Sequence, residues 1–141
     1  IKQQIDYKPK ADVLLHLLKK KGYTLALATT TTNIQLDAYR NVNQNIKRKA
    51  DIDSTFDIVL SKDDVKEKKP SPEVHKRILQ SFNVLHSDCL IIEDSLIGVQ
   101  AAKNARVEVA VIYDKYSDND RTQINRLADY KFNSFDEVSS I

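Results

Sequence analysis

A doubly wound α/β fold with a parallel sheet is predicted by two observations. Short apolar runs recur along the 141 residues. Each is followed by a segment whose apolar residues return at helical spacing. Strands alternating with helices in this way build a parallel sheet with right-handed crossovers. A third observation places a site. The runs Tyr23-Thr24-Leu25-Ala26-Leu27-Ala28 and Leu90-Ile91-Ile92 end abruptly in polar residues, and ligands of open α/β sheets bind at the carboxyl ends of strands.

The elements follow in order. Val13, Leu14, Leu17 and Leu18 share one face of a helix over 10–21, which Gly22 ends. A strand spans 23–29. A helix over 33–48 faces inward with Leu36, Tyr39, Val42 or Asn43, and Ile46. A strand at 56–60 comes next. Pro72 opens a helix over 72–82 that presents Val74, Ile78, Leu79 and Phe82. A strand at 89–93 leads to a helix over 96–105, and a strand at 107–112 follows. Asp118-Asn119-Asp120 caps a helix carrying Ile124, Leu127 and Ala128. A short strand at 130–132 and a helical turn at 135–140 close the chain. The sequence shows no internal repeat, low-complexity segment or linker.

Composition narrows the class. A chain of this length supports one domain, residues 1–141, with a single core. An apolar fraction of 41% and a charged fraction of 30% describe an ordinary globular protein. The net charge of +2 gives no case for nucleic acid. The basic runs Lys19-Lys20-Lys21 and Lys47-Arg48-Lys49 fall at helix ends, where cations suit the helix dipole. A single cysteine, Cys89, excludes an internal disulfide and fits a cytoplasmic location. No apolar run reaches membrane-spanning length and no signal peptide is visible. Two glycines, Gly22 and Gly98, exclude a Gly-rich dinucleotide loop and a P-loop. His16, His75 and His86 have no partners at zinc-like spacing and are expected at surface or half-buried positions.

Three segments carry chemistry. Glu93-Asp94-Ser95 follows an apolar strand and precedes a helix whose early Gly98 leaves room for close packing. Paired carboxylates there suit a hard cation such as Mg²⁺; a helix N-cap accounts for them equally well. Thr29-Thr30-Thr31-Thr32 stands at a strand-to-helix junction, where hydroxyls and free N–H groups cradle phosphate. Strand propensity followed by capping is the plainer explanation. Lys68-Lys69-Pro70-Ser71-Pro72 fixes a lysine before a rigid turn, where it can meet an anion or stay in a solvated loop.

Taken in this order, the segments resemble the haloacid dehalogenase superfamily, in particular the phosphatases and phosphomutases related to β-phosphoglucomutase. The resemblance extends over essentially the whole chain. It implies that the Thr29 hydroxyl and the Thr30 N–H bind the transferring phosphoryl group, motif II of the family. It implies that Lys69, motif III, neutralises the nucleophile and the phosphate. Glu93 and Asp94, motif IV, are implied to hold Mg²⁺, and Asp94-Ser95-Leu96-Ile97-Gly98 has the subgroup's spacing. The implied activity is Mg²⁺-dependent hydrolysis of a small phosphate monoester such as a sugar phosphate, through an aspartyl-phosphate, with neither nucleic acid nor membrane as partner. Catalytic roles fall to Lys69 and Thr29. A phosphohexomutase of the same family and a non-catalytic truncated interaction module are the alternatives. A receiver-type signalling domain fits less well, because its acidic pair comes first and its Thr and Lys late.

The family's motif I, a strand ending in Asp-x-Asp that supplies the nucleophile and the general acid, has no counterpart before Thr29. Asp51-Ile52-Asp53 mimics it but follows the charged Lys47-Arg48-Lys49, and reads as a turn into the strand at Phe56. The chain is therefore expected to be the C-terminal part of a larger enzyme, a Rossmann-like core lacking its central strand and most of its cap. The vacancy between the strands ending in Thr29 and Glu93 would be closed by direct pairing, by another segment or chain, or by the parent's own motif I strand. One departure from the family is Ala105-Arg106, where Ala-Gly is usual after the motif IV helix.

Overall fold

The structure is a computed structural model and describes residues 8–41 and 44–140. It divides into two compact units, residues 1–64 with 135–141, and residues 65–134. Each holds a parallel sheet.

In the first unit, α1 (Ala11–Lys20) buries Leu14 and stops at Gly22, whose φ is +90°. The Tyr23 N–H donates to Leu18 O at 3.1 Å and the Gly22 N–H to Lys19 O at 3.0 Å, the bond pair of a Schellman stop. Val13, expected on the inner face, is 60% exposed. Strand β1 (Ala26–Ala28) is shorter than the apolar run suggests. Tyr23 belongs to the helix stop, and the Leu25 N–H is taken by the Asp57 carboxylate at 2.8 Å. β1 pairs in parallel with β2 (Ile58–Leu60), Ala26 opposite Ile58 and Ala28 opposite Leu60.

The helix expected over 33–48 is two segments, α2 (Asn33–Asn41) and α3 (Gln44–Lys49). Val42 and Asn43 lie outside the described residues. Leu36, Ile46 and Ile52 are buried together, with Leu27, Tyr39, Phe56 and Val59 packed around them. The Asp51–Thr55 segment is one helical turn, α4 (Ile52–Thr55), rather than a plain turn. Asp51 caps it by accepting the Ser54 N–H at 3.3 Å, and Asp53 pairs with Arg40 at 2.9 Å. Both aspartates of the motif I mimic thus have local structural work.

The second unit carries α5 (Glu73–Phe82), β3 (Leu90–Glu93), α6 (Leu96–Asn104), β4 (Glu108–Ile112), α7 (Arg121–Leu127) and β5 (Tyr130–Phe132). Its sheet order is β3-β4-β5, all parallel. Val99, Ala102, Val109, Val111 and Ile124 form the core, joined by Ile91, Leu96, Leu127 and Ala128. The Asp129 carboxylate fixes the β4 entry: it accepts the Val109 N–H at 2.9 Å and pairs with Lys103 at 2.9 Å. Those two donors hold its carboxyl below the ordinary value against the opposing effect of burial. Asp120 flanks α7 without a side-chain cap bond, and a 3₁₀ turn over Lys115–Asp120 precedes it. Arg106 takes φ +61° after α6, a left-handed position that favours glycine.

Among the described residues, β1 has β2 as its only strand partner and β3 has only β4.

Candidate active site

β3 delivers Glu93 and Asp94 to the carboxyl end of its sheet. The cap of the following helix is Ser95, whose Oγ accepts the Gly98 N–H at 3.3 Å. Helix capping therefore accounts for Ser95 and not for the two carboxylates before it. The Glu93 Oε1 lies 2.5 Å from Lys69 Nζ, and the two side chains are only 13% and 9% exposed. An ion pair so far withdrawn from water is shielded from salt, and loss of either partner leaves a charge to be solvated by the protein interior.

The first turn of α6 makes room for this pair. A Cβ added at Gly98 would overlap the Glu93 carboxylate. The close packing expected at Gly98 is thus with a charged group rather than an apolar one. Asp94 is anchored through its backbone, since its carbonyl accepts the Ser117 hydroxyl at 2.9 Å. Ser117 lies 23 residues downstream, and nothing local in the sequence points to it.

Lys69 stands in a tied loop. The Glu73 carboxylate accepts the Lys66 N–H at 2.9 Å and the Glu67 N–H at 3.1 Å. Those two N–H groups and Arg77 hold the Glu73 carboxyl below its ordinary value. Asn104 Nδ2 donates to Pro70 O at 3.0 Å, and the Lys69–Pro70 peptide is cis. Beneath this loop α5 buries His75, which is 5% exposed, contrary to the surface or half-buried position expected of it. Its Nε2 has no hydrogen-bond partner among the described residues. Burial, and then the charge of Lys69, push its pKa down to about 4, so the imidazole is neutral beside the lysine. His16 and His86 are exposed.

Thr29 and Thr30 belong to the other unit, just past β1. The Thr29 N–H donates to Leu60 O at 3.0 Å and continues the β1–β2 ladder. Its Oγ1 accepts the Thr31 N–H at 3.0 Å and lies 2.8 Å from Thr31 Oγ1. Thr32 and Gln35 cap α2 reciprocally: the Thr32 N–H donates to Gln35 Oε1 at 3.1 Å and the Gln35 N–H to Thr32 Oγ1 at 3.3 Å. This is a capping box. Capping therefore explains Thr32 but not Thr29. Thr30 is exposed. The turn is fastened to residues 61–64: the Lys62 N–H donates to Thr31 O at 3.0 Å, and the buried Ser61 donates to Asn33 Oδ1 at 2.6 Å.

As a donor set, Glu93 and Asp94 offer carboxylate oxygens, which fit Mg²⁺; such ions take one or two carboxylates and fill the shell with water and phosphate. Among the described residues no group of three or more His, Cys, Asp or Glu could hold a metal. No helix among them is long and apolar enough to cross a membrane.

Residues 1–112 match the family model for haloacid dehalogenase-like hydrolases. The chain is 33% identical over 117 residues to protein CbbY of Rhodobacter capsulatus, covering 83% of this chain and 50% of that protein. It is 37% identical over 94 residues to a phosphorylated carbohydrates phosphatase of Thermotoga maritima, covering 67% of this chain and 40% of that protein. A crystal structure of CbbY from Rhodobacter sphaeroides in complex with xylulose-(1,5)bisphosphate superposes with a TM-score of 0.76 at 30% identity, over 91% of this chain and 54% of that one. The chain spans about half the length of the curated relatives it matches. On the family match and the shared parallel α/β scaffold, the chain belongs to the haloacid dehalogenase-like hydrolases.

Proposed function

We propose that the intact protein hydrolyses a small phosphate monoester, of the sugar-phosphate kind, by phosphoryl transfer through an aspartyl-phosphate. The observation that carries this reading is the buried Lys69–Glu93 pair beside Asp94 at the end of β3. A lysine held in place by a carboxylate is a fixed cation, and phosphoryl transfer depends mainly on fixed charge and positioning. Lys69 neutralises the phosphoryl oxygens and the incoming nucleophile. The Thr29 hydroxyl and the Thr30 N–H bind the remaining oxygens. Asp94, with Glu93 next to it, would hold Mg²⁺, which when bound supplies positive charge at the phosphoryl group. The nucleophilic aspartate is assigned to a motif I strand of the intact protein, and residues 1–141 carry motifs II to IV of the same core.

The sugar-phosphate class is drawn from the relatives, one named for phosphorylated carbohydrates and one crystallised with a sugar bisphosphate. A cytoplasmic location, with neither nucleic acid nor membrane as partner, belongs to the same proposal and rests on the near-neutral charge and the single cysteine.

The test is a panel of sugar phosphates offered to the full-length protein with Mg²⁺. Release of phosphate is expected, with kcat lowered about 100-fold or more by Lys69→Ala, the loss typical of removing one charge-stabilising donor. Absence of turnover on every phosphate ester would reject the proposal.

A further inference from the structure

We infer that Thr31 is a positioning residue for the Thr29 hydroxyl, turning from acceptor to donor when a phosphoryl group binds. The inference rests on the reading of Thr29 as a phosphoryl ligand.

A hydroxyl has one proton and two lone pairs. On Thr29 Oγ1 one lone pair is filled by the Thr31 N–H at 3.0 Å. The Thr31 hydroxyl lies 2.8 Å away, the usual O–H···O separation. At that distance either hydroxyl can donate. Without an anion, the Thr29 hydroxyl donates its hydrogen bond to Thr31. A phosphoryl oxygen carries charge and is the stronger acceptor, so the Thr29 hydroxyl donates to it instead. The Thr31 hydroxyl then rotates about its Cβ–Oγ bond and donates to the second Thr29 lone pair. No heavy atom has to move. Every bonding position of Thr29 is then filled, and the second hydroxyl polarises the one that touches the anion.

The surroundings hold Thr31 for this task. Its carbonyl accepts the Lys62 N–H at 3.0 Å. The next residue, Thr32, is locked in the α2 cap. Capping thus uses the fourth threonine of the run, while the first and third face each other through their hydroxyls.

The experiment compares Thr29→Val, Thr31→Val, Thr31→Ser and the double valine variant in the full-length protein. Inorganic phosphate is the probe, through its competitive inhibition constant, with KM, kcat and the urea midpoint measured alongside. Thr31→Val keeps the backbone N–H and the side-chain shape but lacks the hydroxyl. It should weaken phosphate about five- to tenfold, the usual effect of one lost hydrogen bond between neutral groups. Thr31→Ser should restore binding. The double variant should bind phosphate no worse than Thr29→Val alone, because Thr31 acts through Thr29. If valine at 31 prevents folding, Thr31→Ala removes the same hydroxyl. Phosphate binding unchanged by loss of the Thr31 hydroxyl, additive losses in the double variant, or no rescue by serine would overturn the inference while leaving Thr29 in place. Unchanged phosphate binding in Thr29→Val would instead overturn the reading of Thr29 itself.

Discussion

The Glu93 carboxylate fills the space that a side chain at Gly98 would occupy, and from there it pairs with Lys69. Alanine is the better helix former by about 1 kcal/mol, so Gly98→Ala would ordinarily stabilise α6. Here the opposite sign is expected. The new methyl drives the carboxylate away from a lysine that is 9% exposed, and breaking a buried pair costs about 3 kcal/mol or more. Urea unfolding should show Gly98→Ala destabilised by about 2–4 kcal/mol. Adding it to Glu93→Ala should cost little further, since the clash is then gone. A Gly98→Ala protein as stable as the wild type would mean that the carboxylate yields its place freely.

His75 makes stability depend on pH. Its folded pKa is about 4 against an ordinary value of 6.5, because burial and then the Lys69 charge disfavour the imidazolium. The unfolded chain therefore binds the proton first as pH falls. Stability is complete above 6.5, declines between 6.5 and 4, and loses no more to this group below 4. The shift corresponds to roughly 3 kcal/mol. His75→Phe, which cannot titrate, should flatten the unfolding free energy across that window relative to wild type. Parallel curves for the two proteins would show that His75 is not the group responsible.

The order of elements and the polar residues that follow β1 and β3 were legible because each rests on local signals: apolar runs, helical spacing and the residues that end them. What was not legible depends on contacts between distant segments. His75 counts as polar in any periodicity, yet it shares the buried face of α5 with Val74 and Ile78. Ser117 reaches the Asp94 carbonyl across 23 residues. The strand expected over 23–29 is longer than β1 because Tyr23 and Leu25 have the side chains of strand residues. A helix stop and the Asp57 carboxylate claim their backbone N–H groups instead. The four threonines offered two explanations, and both apply, capping to Thr32 and a hydroxyl cluster to Thr29 and Thr31.

Arg106 is the simplest place to gain stability. It is exposed and ends α6 at φ +61°. Its N–H donates to Lys103 O at 3.0 Å, and the Val107 N–H to Ala102 O at 3.1 Å. This is a Schellman stop with a side chain in the position that favours glycine. A Cβ in the left-handed region costs about 1 kcal/mol. Arg106→Gly should raise the melting temperature by about 2–4 °C, whereas Arg106→Ala, which keeps the Cβ, should leave it unchanged. Equal melting temperatures for the glycine and alanine variants would place the strain elsewhere.

Magnesium binding should separate the two motif IV carboxylates. The Glu93 Oε1 is engaged with Lys69, which lowers its value as a cation ligand. Asp94 is held through its own carbonyl by Ser117. Mg²⁺ demands six oxygens in near-octahedral array and gives up its water reluctantly. Residues 1–141, with one or two carboxylates to offer, should therefore bind it weakly, at about millimolar affinity. Titration calorimetry on this chain should show the signal abolished by Asp94→Asn and only reduced by Glu93→Gln. In the full-length protein Asp94→Asn should likewise raise the Mg²⁺ concentration needed for half-maximal turnover more than Glu93→Gln does. Micromolar affinity that survives Asp94→Asn would put the cation at other residues and would separate the motif IV pair from metal binding altogether.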